Sequence, residues 1–509
     1  MESLCWHRLT HQRTLIGYHI HYKEMLTQTD NSNRCPLLCV KLSYMNSDYR
    51  LKILNDKAPN TNGDYVVYWM QASQRTIQND ALSYAIQTAN AMHKPLLVYF
   101  GITANFPQAN RRHYRFMLEG MEETEKDLKE LGIPLLVHPY GIIEGLKPLY
   151  SHMAYLVVDR GYTRHERAWR AQVAQETPCA MIMVESNVIV PVECASTKEE
   201  YSAATLRRKI TPMIGECIQE LPVLALSVPS LNLDTPYASA DLSQIPALME
   251  HLGIAEEASQ CPWMHGGQAN ASAILKTFIQ ENLEGYGSKS NDPAIPHVSH
   301  LSPYLHFGMI SPVTIYQEVM KTGLPDVAPF LEELVIRREL AMNFVYYNPL
   351  YDAYEGLPAW ARASMQKHQA DKRTSIYTKE QLERAETHDR YWNTAQRELV
   401  GLGTMHGYMR MYWGKKILEW SETPQEAFAT ALYLNNKYQM DGRDPNGFAG
   451  IAWCFGKHDR PWAERAIFGN VRYMNDKGLE RKFTMQDYIE RIEKQLQTHG
   501  ITNPTAENT

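Results

Sequence analysis

The sequence predicts an α/β part followed by an all-α part, and three observations carry that expectation. From Asp64 to Ser186, short runs of β-branched and aromatic residues alternate with amphipathic helical stretches, the pattern of a doubly wound parallel sheet. From about Gly266 to Gln497, apolar residues recur at helical spacing and no period-two alternation returns. Finally, 509 residues exceed what one hydrophobic core serves, so two or more domains are needed.

Taken in order, residues 1–60 form a polar N-terminal extension, rich in His, Asn, Thr and Gln, with no sustained period and expected to be mostly disordered. Residues 61–190 are the α/β domain. DYVVYWM (Asp64–Met70) is a buried-type strand, followed by a helix from Asn79 to His93 and a strand PLLVYFG (Pro95–Gly101). The next helix runs from about Arg111 to Leu131 and is stopped by Gly132 and Pro134. Strands PLLVHPY, YLVVDRG (Tyr155–Gly161) and AMIMVES (Ala180–Ser186) complete the set. Such sheets take ligands beyond the strand carboxyl ends, at a switch point. No GxGxxG or GxxxxGK[ST] follows the first strand, which weighs against a dinucleotide or phosphate cradle there.

Residues 191–260 read as an interdomain linker, rich in Pro, Ser and Leu, with turn signals and little period. Residues 261–497 are the helical domain. QANASAILKTFIQENLEGYG ends in Gly285 and Gly287, and PFLEELVIRRELAMNFVYY (Pro329–Tyr347) reads as one long amphipathic helix. Residues 498–509 are a frayed tail. The net charge of −6 does not announce a nucleic-acid binder, so any DNA contact needs a local basic surface. No run approaches eighteen apolar residues, so no membrane partner is expected, and the N-terminus lacks an apolar signal core. Cys35 and Cys39 are the only close cysteine pair. No second pair follows at zinc spacing, so neither a metal site nor a disulfide scaffold is expected.

Five of the ten tryptophans fall between Tyr391 and Trp462: Trp392, Trp413, Trp420, Trp453 and Trp462. Trp413 and Trp420, seven apart, share one helix face at roughly 10 Å along the axis. Each indole N–H needs a partner, which makes Trp an unusual plain core residue. A spaced indole file could carry electrons to a buried redox centre, although large core side chains remain the ordinary reading of any single tryptophan. The ordered strings decide more. WNTAQRELVGLGTMHGYMRMYWGKKILEW, YLNNKYQMDGRDPNGFAGIAW and HDRPWAER, with YWMQASQR (Tyr68–Arg75), HYRFMLEG (His113–Gly120) and SHLSPYLHFGMISP (Ser299–Pro312) upstream, resemble class II cyclobutane pyrimidine dimer photolyases. These belong to the photolyase/cryptochrome family. The resemblance runs from about Met45 to about Ile489, and Met45 is accordingly the expected natural start.

That resemblance implies a Rossmann-like α/β domain and an all-α FAD-binding domain. FAD, active as FADH−, would be held by Tyr286, by Val298, Ser299, His300, Leu301 and Ser302, and by Arg410, Asn435, Asp441 and Arg443. On residues alone, the Gly285–Pro293 loop equally suits a capped helix start, with Ser302 as N-cap before Pro303, or a pyrophosphate site. The resemblance pairs Arg410 with Asp441 beside the flavin ring and puts Asn435 opposite flavin N5. Asn436 points elsewhere. A second, antenna chromophore, deazaflavin or folate, would use the α/β domain, with no residue assigned. The implied electron file is Trp413, Trp392 and Trp420, with Tyr377 as terminal donor. Glu333 would face the lesion, although a helical Glu333–Arg337 pair at i+4 is the ordinary reading. Trp453 and Met411 would line the dimer pocket, and Asn291 would contact substrate. Ser290 stands where relatives often carry arginine. Arg460 and Trp462 would fill the gap left by the flipped dimer, or else form a surface cation–π contact.

The implied function is light-driven repair of cyclobutane pyrimidine dimers, by electron transfer from excited FADH− to a dimer flipped out of double-stranded DNA. A monomeric, intracellular protein is expected, cytoplasmic and nucleoid-associated, or nuclear in a eukaryote. The alternative is a cryptochrome-like blue-light photoreceptor without repair activity. The short stretch after the last helix and the presence of Glu333, Met411, Trp453, Arg460 and Trp462 favour repair. A nucleotide-binding module on the N-terminal sheet is a third reading, disfavoured by the missing phosphate loop.

Overall fold

Five consecutive β-rich runs become five parallel strands. In the computed structural model, residues 48–501 are described, apart from 105, 255–257 and 259. Residues 1–47, with Met45, Cys35 and Cys39, and the tail from residue 502 lie outside the described residues. Strands β1 (Leu51–Ile53), β2 (Tyr65–Trp69), β3 (Leu96–Gly101), β4 (Leu135–His138), β5 (Met153–Asp159) and β6 (Met181–Val184) form one sheet in the order β1-β6-β5-β2-β3-β4. β2 pairs in parallel with β3 and β5, and both its faces are buried, which is why YVVYW carries no alternation.

The sheet is mixed, not purely parallel. β1 lies antiparallel on β6, with Leu51 opposite Val184 and Ile53 opposite Ile182. This corrects two expectations, since residues 51–53 belong to the sheet and not to a disordered extension. Arg50 ties the strand in, donating to the carbonyls of Glu185, Val188 and Ile189 at 2.8–3.0 Å. On the far edge, the segment expected as a linker runs beside β4. Ala240 N–H donates to Val137 O at 2.9 Å and Val137 N–H to Ser239 Oγ at 2.9 Å, closing the open edge. The same segment also holds helices at Ala203–Ile210 and Ile245–His251.

Helices α1 (Asp80–Met92), α2 (Arg111–Glu130) and α3 (Arg164–Glu176) flank the sheet. α2 also joins the two domains. Asn110 is its N-cap in a capping box with His113, and this first turn grips the helical domain. Asn110 Nδ2 donates to Lys437 O at 2.8 Å, Arg112 to Tyr438 O at 2.6 Å and Val400 O at 2.7 Å, and His113 Nε2 meets Gln439 O at 2.9 Å. Arg75, fully buried, binds Asn187 Oδ1 at 2.7 Å and the carbonyls of Ser186 and Gly308 at 2.8 Å. Two of the ordered motifs, YWMQASQR and HYRFMLEG, therefore supply this joint.

The helical part contains α4 (Gln268–Glu281), α5 (Arg338–Tyr347), α6 (Arg390–Leu402), α7 (Gly407–Trp420), α8 (Pro424–Tyr438), α9 (Pro445–Cys454) and α10 (Met485–Thr498). The long helix expected over Pro329–Tyr347 is not regular. Ala328–Leu331 leads into a π-helical turn, Glu332–Arg337, before α5. Such turns insert a residue into the helical register and occur often at functional sites.

Candidate active site

The aromatic file is continuous. The rings of Trp392 and Trp413 lie parallel, 5° apart in plane, with centroids at 6.4 Å. Trp392 to Trp420 is 5.6 Å and Trp420 to Tyr377 is 5.4 Å, both edge-on. Trp413, Trp392 and Trp420 are almost fully buried, and Tyr377 is half-buried at the outer end. Trp392, on α6, lies between the two tryptophans of α7. Trp413 Nε1 donates to Gln396 Oε1 at 2.8 Å and Trp392 Nε1 to Trp413 O at 3.0 Å, so both indoles are satisfied.

One turn before Trp413 stands Arg410, half-buried, with its Nε lacking a partner. Asp441 is buried and its Oδ1 is also unpartnered. The expected direct Arg410–Asp441 ion pair is not formed. Asp441 follows the end of α8, and the cation that feels its charge is Arg443. Buried, unpaired polar atoms of this kind cost 1–3 kcal/mol or more each, so they mark a place built for a polar guest. Asn435 is buried against Gly447, where an added Cβ would come within 3.0 Å of Asn435 Nδ2. Asn436 Oδ1 accepts from both the Arg443 N–H at 3.1 Å and Asn435 Nδ2 at 3.4 Å, so the two amides meet and Asn436 does not simply point elsewhere.

His406 caps α7 by accepting the Tyr408 N–H at 3.2 Å. It packs against the Ser290 backbone, His300, Arg410 and Arg491. Burial, and then the charge of Arg491, lowers its imidazole to about 4. This cluster joins the Gly285–Ser302 loop to α7. Leu301 is buried, Val298 and Ser299 are half-buried, and His300 has a left-handed backbone (φ +55°). Ser302 is not the N-cap. The helix runs Ser302–His306 with Leu301 at the cap position and no side-chain cap.

Tyr286 opens a short helical turn and sits edge-on to Phe330 at 5.4 Å. Burial, with the Glu333 carboxylate as second cause, pushes its phenol up to about 12. Tyr286 and Glu333 therefore share one wall. Glu333 remains accessible to solvent, yet burial of its carboxyl raises it above the ordinary range, against the pull of Arg337. The ordinary alternative, a Glu333–Arg337 pair, is not formed, because the π turn shifts the register and Arg337 binds Glu332 at 3.3 Å. The Arg337 guanidinium lies 5.8 Å from the Trp453 ring. Met411 and Trp453 are both half-buried, and Met411 Sδ lies 3.8 Å from Cys454 Sγ.

One predicted flavin contact lies elsewhere. Arg443, left-handed at φ +71°, is buried and donates to Asn436 O and, at 3.4 Å, to Gln108 O. Its guanidinium therefore lines the joint with the sheet and not the Arg410 cluster. Arg460 and Trp462 form an exposed surface pair at 5.4 Å, with Arg472 on the same indole at 4.4 Å. Asn291 is exposed at the end of the Tyr286 turn. Sequence reasoning missed His388, whose Nδ1 is 2.6 Å from the Tyr377 hydroxyl, and the Asn110–His113 grip. The resemblance contained the motif of the grip without stating its role.

A separate recess opens beyond the carboxyl ends of β2, β3 and β5, at the switch point. It is lined by Gln71, Phe106, Trp169, Asn187, His306 and Arg443, among others. Among the described residues, no group of His, Cys, Asp and Glu could hold a metal ion, and no helix is long and apolar enough to cross a membrane.

Comparison with known proteins shows the class of this chain. The family model for DNA photolyase matches residues 66–225. Deoxyribodipyrimidine photo-lyase of Methanothermobacter thermautotrophicus is 48% identical over 443 residues, covering 87% of this chain and 98% of that protein. The protein of the same name from Oryza sativa is 41% identical, over 85% and 88%. A (6-4)DNA photolyase of Arabidopsis thaliana is 23% identical, over 61% and 59%. Among solved structures, a bacterial class III photolyase from Agrobacterium tumefaciens shares the fold with a TM-score of 0.64 at 17% identity, over 87% and 89%. An archaeal photolyase from Sulfolobus tokodaii with two FAD molecules does so at 0.64 and 15%, over 86% and 91%. The chain belongs to the DNA photolyase family of enzymes.

Proposed function

We propose that the chain is a lyase that uses light to split cyclobutane pyrimidine dimers in DNA. The observation that carries this reading is the aromatic file. It runs from half-buried Tyr377 through three buried tryptophans to the helix that bears Arg410 and Met411. The much higher and longer identity to proteins named deoxyribodipyrimidine photo-lyase than to the (6-4) protein supports the cyclobutane lesion.

The residues present fit flavin adenine dinucleotide. The unpaired Arg410 Nε and Asp441 Oδ1 offer a cation and an acceptor. Gly447 leaves room where a side chain would crowd Asn435. When bound, the reduced flavin would supply the light-absorbing one-electron donor. Arg410 favours its anionic form, and Asn435 can both donate and accept at the ring edge. Tyr286 and the Val298–Ser302 loop hold the remainder, with backbone donors available at the start of the Ser302–His306 turn. Glu333, its carboxyl raised above the ordinary range by burial, would in its protonated form give a hydrogen bond to a pyrimidine carbonyl where charge develops. Met411 and Trp453 wall an apolar slot, and Arg460, Trp462 and Arg472 form a basic aromatic ridge suited to the duplex gap. The recess at the sheet's switch point suits a planar second chromophore, as the two FAD molecules of the Sulfolobus tokodaii protein illustrate.

The test is direct. The reduced protein is mixed with an oligonucleotide carrying a thymine dimer, and ultraviolet absorbance of restored thymines is followed in light and in dark. Light-dependent recovery supports the reading. No recovery by a flavin-bound, photoreducible protein would replace it with a photoreceptor.

A further inference from the structure

The outer end of the file is a hydrogen-bonded pair. Tyr377 and His388 lie eleven residues apart in a segment without regular structure between them, apart from the short helix Lys379–Glu383. The Tyr377 hydroxyl is 2.6 Å from His388 Nδ1, and the same oxygen accepts the His388 backbone N–H at 3.0 Å. In the tautomer with the imidazole proton on Nε2, the phenol donates to Nδ1. His388 is exposed, so Nε2 can exchange with water. Both rings also contact Trp420, at 5.4 Å each.

The other face of Trp420 is charged. The Lys416 ammonium lies 5.4 Å from its ring and 2.8 Å from Glu419. A cation over an indole opposes a positive hole resting there, and the carboxylate only partly offsets this. A hole reaching Trp420 therefore gains by moving to Tyr377, provided the phenol can shed its proton. A phenol that has lost an electron is a far stronger acid than the neutral phenol, and a base at 2.6 Å is within transfer reach.

We propose that His388 is the proton acceptor that couples proton to electron transfer at Tyr377, the terminal donor already implied for the file. This rests on the file reading above. After Trp420 has been oxidised through the file by a photoexcited oxidised flavin, Tyr377 gives Trp420 one electron. Its O–H bond breaks and an Nδ1–H bond forms on His388. The products are neutral Trp420, a neutral tyrosyl radical and an imidazolium that releases its Nε2 proton to water. Moving the positive charge from the file to solvent slows its return. Charged groups near the pair include the Lys416–Glu419 ion pair at Trp420, Asp389, which holds the Tyr412 hydroxyl, and, on the same segment, Lys379, Glu386 and Arg390.

The experiment is flash photolysis of the oxidised holoprotein, reading the sharp absorption of the neutral tyrosyl radical between pH 5 and 8. Wild type should give the radical in a yield that depends on pH. Tyr377→Phe should abolish it. His388→Phe should cut the yield about tenfold or more and flatten the pH profile. Imidazole added to His388→Ala should restore the yield, a rescue that a packing role would not show. A His388→Phe protein with wild-type yield and pH profile would overturn the proposal. A Trp413→Phe protein that still forms the radical at full yield would instead refute the file on which it rests.

Discussion

Replacing Arg112 by Met tests the joint that positions the site. Arg112 is fully buried at the start of α2 and donates to Tyr438 O at 2.6 Å and Val400 O at 2.7 Å. Its guanidinium also lies 5.8 Å from the Tyr438 ring. The two carbonyls belong to α8, close to Asn435, and to α6, which carries Trp392. Methionine keeps most of the length of the stem but loses the charge-assisted bonds, each worth about 1.5–3 kcal/mol. The expected loss is therefore about 3–6 kcal/mol, a large part of a typical folding free energy of about 5–15 kcal/mol. The assay is urea unfolding followed by tryptophan fluorescence, with the flavin content of the purified protein measured in parallel. A lowered midpoint with reduced flavin retention is expected, because α8 would lose its brace. A change below about 1 kcal/mol, with full flavin retention, would refute the claim that this joint holds the site together.

Three further outcomes are expected. Trp413→Phe should slow photoreduction of the oxidised flavin at least tenfold, since the file loses its link between Trp392 and Arg410's end of the helix, while protein reduced chemically in the dark still repairs; equal loss of both refutes the file. His406, held down at about 4 by burial and Arg491, binds protons more weakly folded than unfolded, so stability present above about pH 6.5 should drain away as pH falls toward 4. His406→Asn keeps a capping acceptor for Tyr408 and should flatten that acid limb in urea midpoints; an unchanged limb would assign it to other groups. Arg460→Ala should weaken binding to a damaged duplex more than to a damaged single strand, and should reduce the salt dependence for the duplex; equal weakening argues against a gap-filling role.

The parallel strands were legible because buried parallel strands are written as short, continuous apolar runs. YVVYW and LLVYFG can be little else between turn signals. β1 was not legible, because a three-residue edge strand is too short to show a period. The π turn at Glu332–Arg337 was hidden for a related reason, since one extra residue per turn looks like ordinary helical spacing with small slips. The tryptophan file was half legible. The spacing put Trp413 and Trp420 on one face, but only the fold inserts Trp392 of α6 between them. The departures at Arg443 and at Arg410–Asp441 arise from backbone geometry. The left-handed residue 443 swings its guanidinium toward the sheet, and the turn after α8 leaves Asp441 nearer to it. His388 carried no motif and became visible only through its distance to Tyr377.

The central claim is that this chain converts light into cleavage of a pyrimidine dimer. The measurement that tests it most directly is recovery of thymine absorbance from a dimer-containing oligonucleotide by the reduced protein, with matched illuminated and dark samples. Recovery in light alone, lost in Glu333→Ala, is the result the account predicts. Absence of recovery in light by a protein that retains its flavin would contradict it.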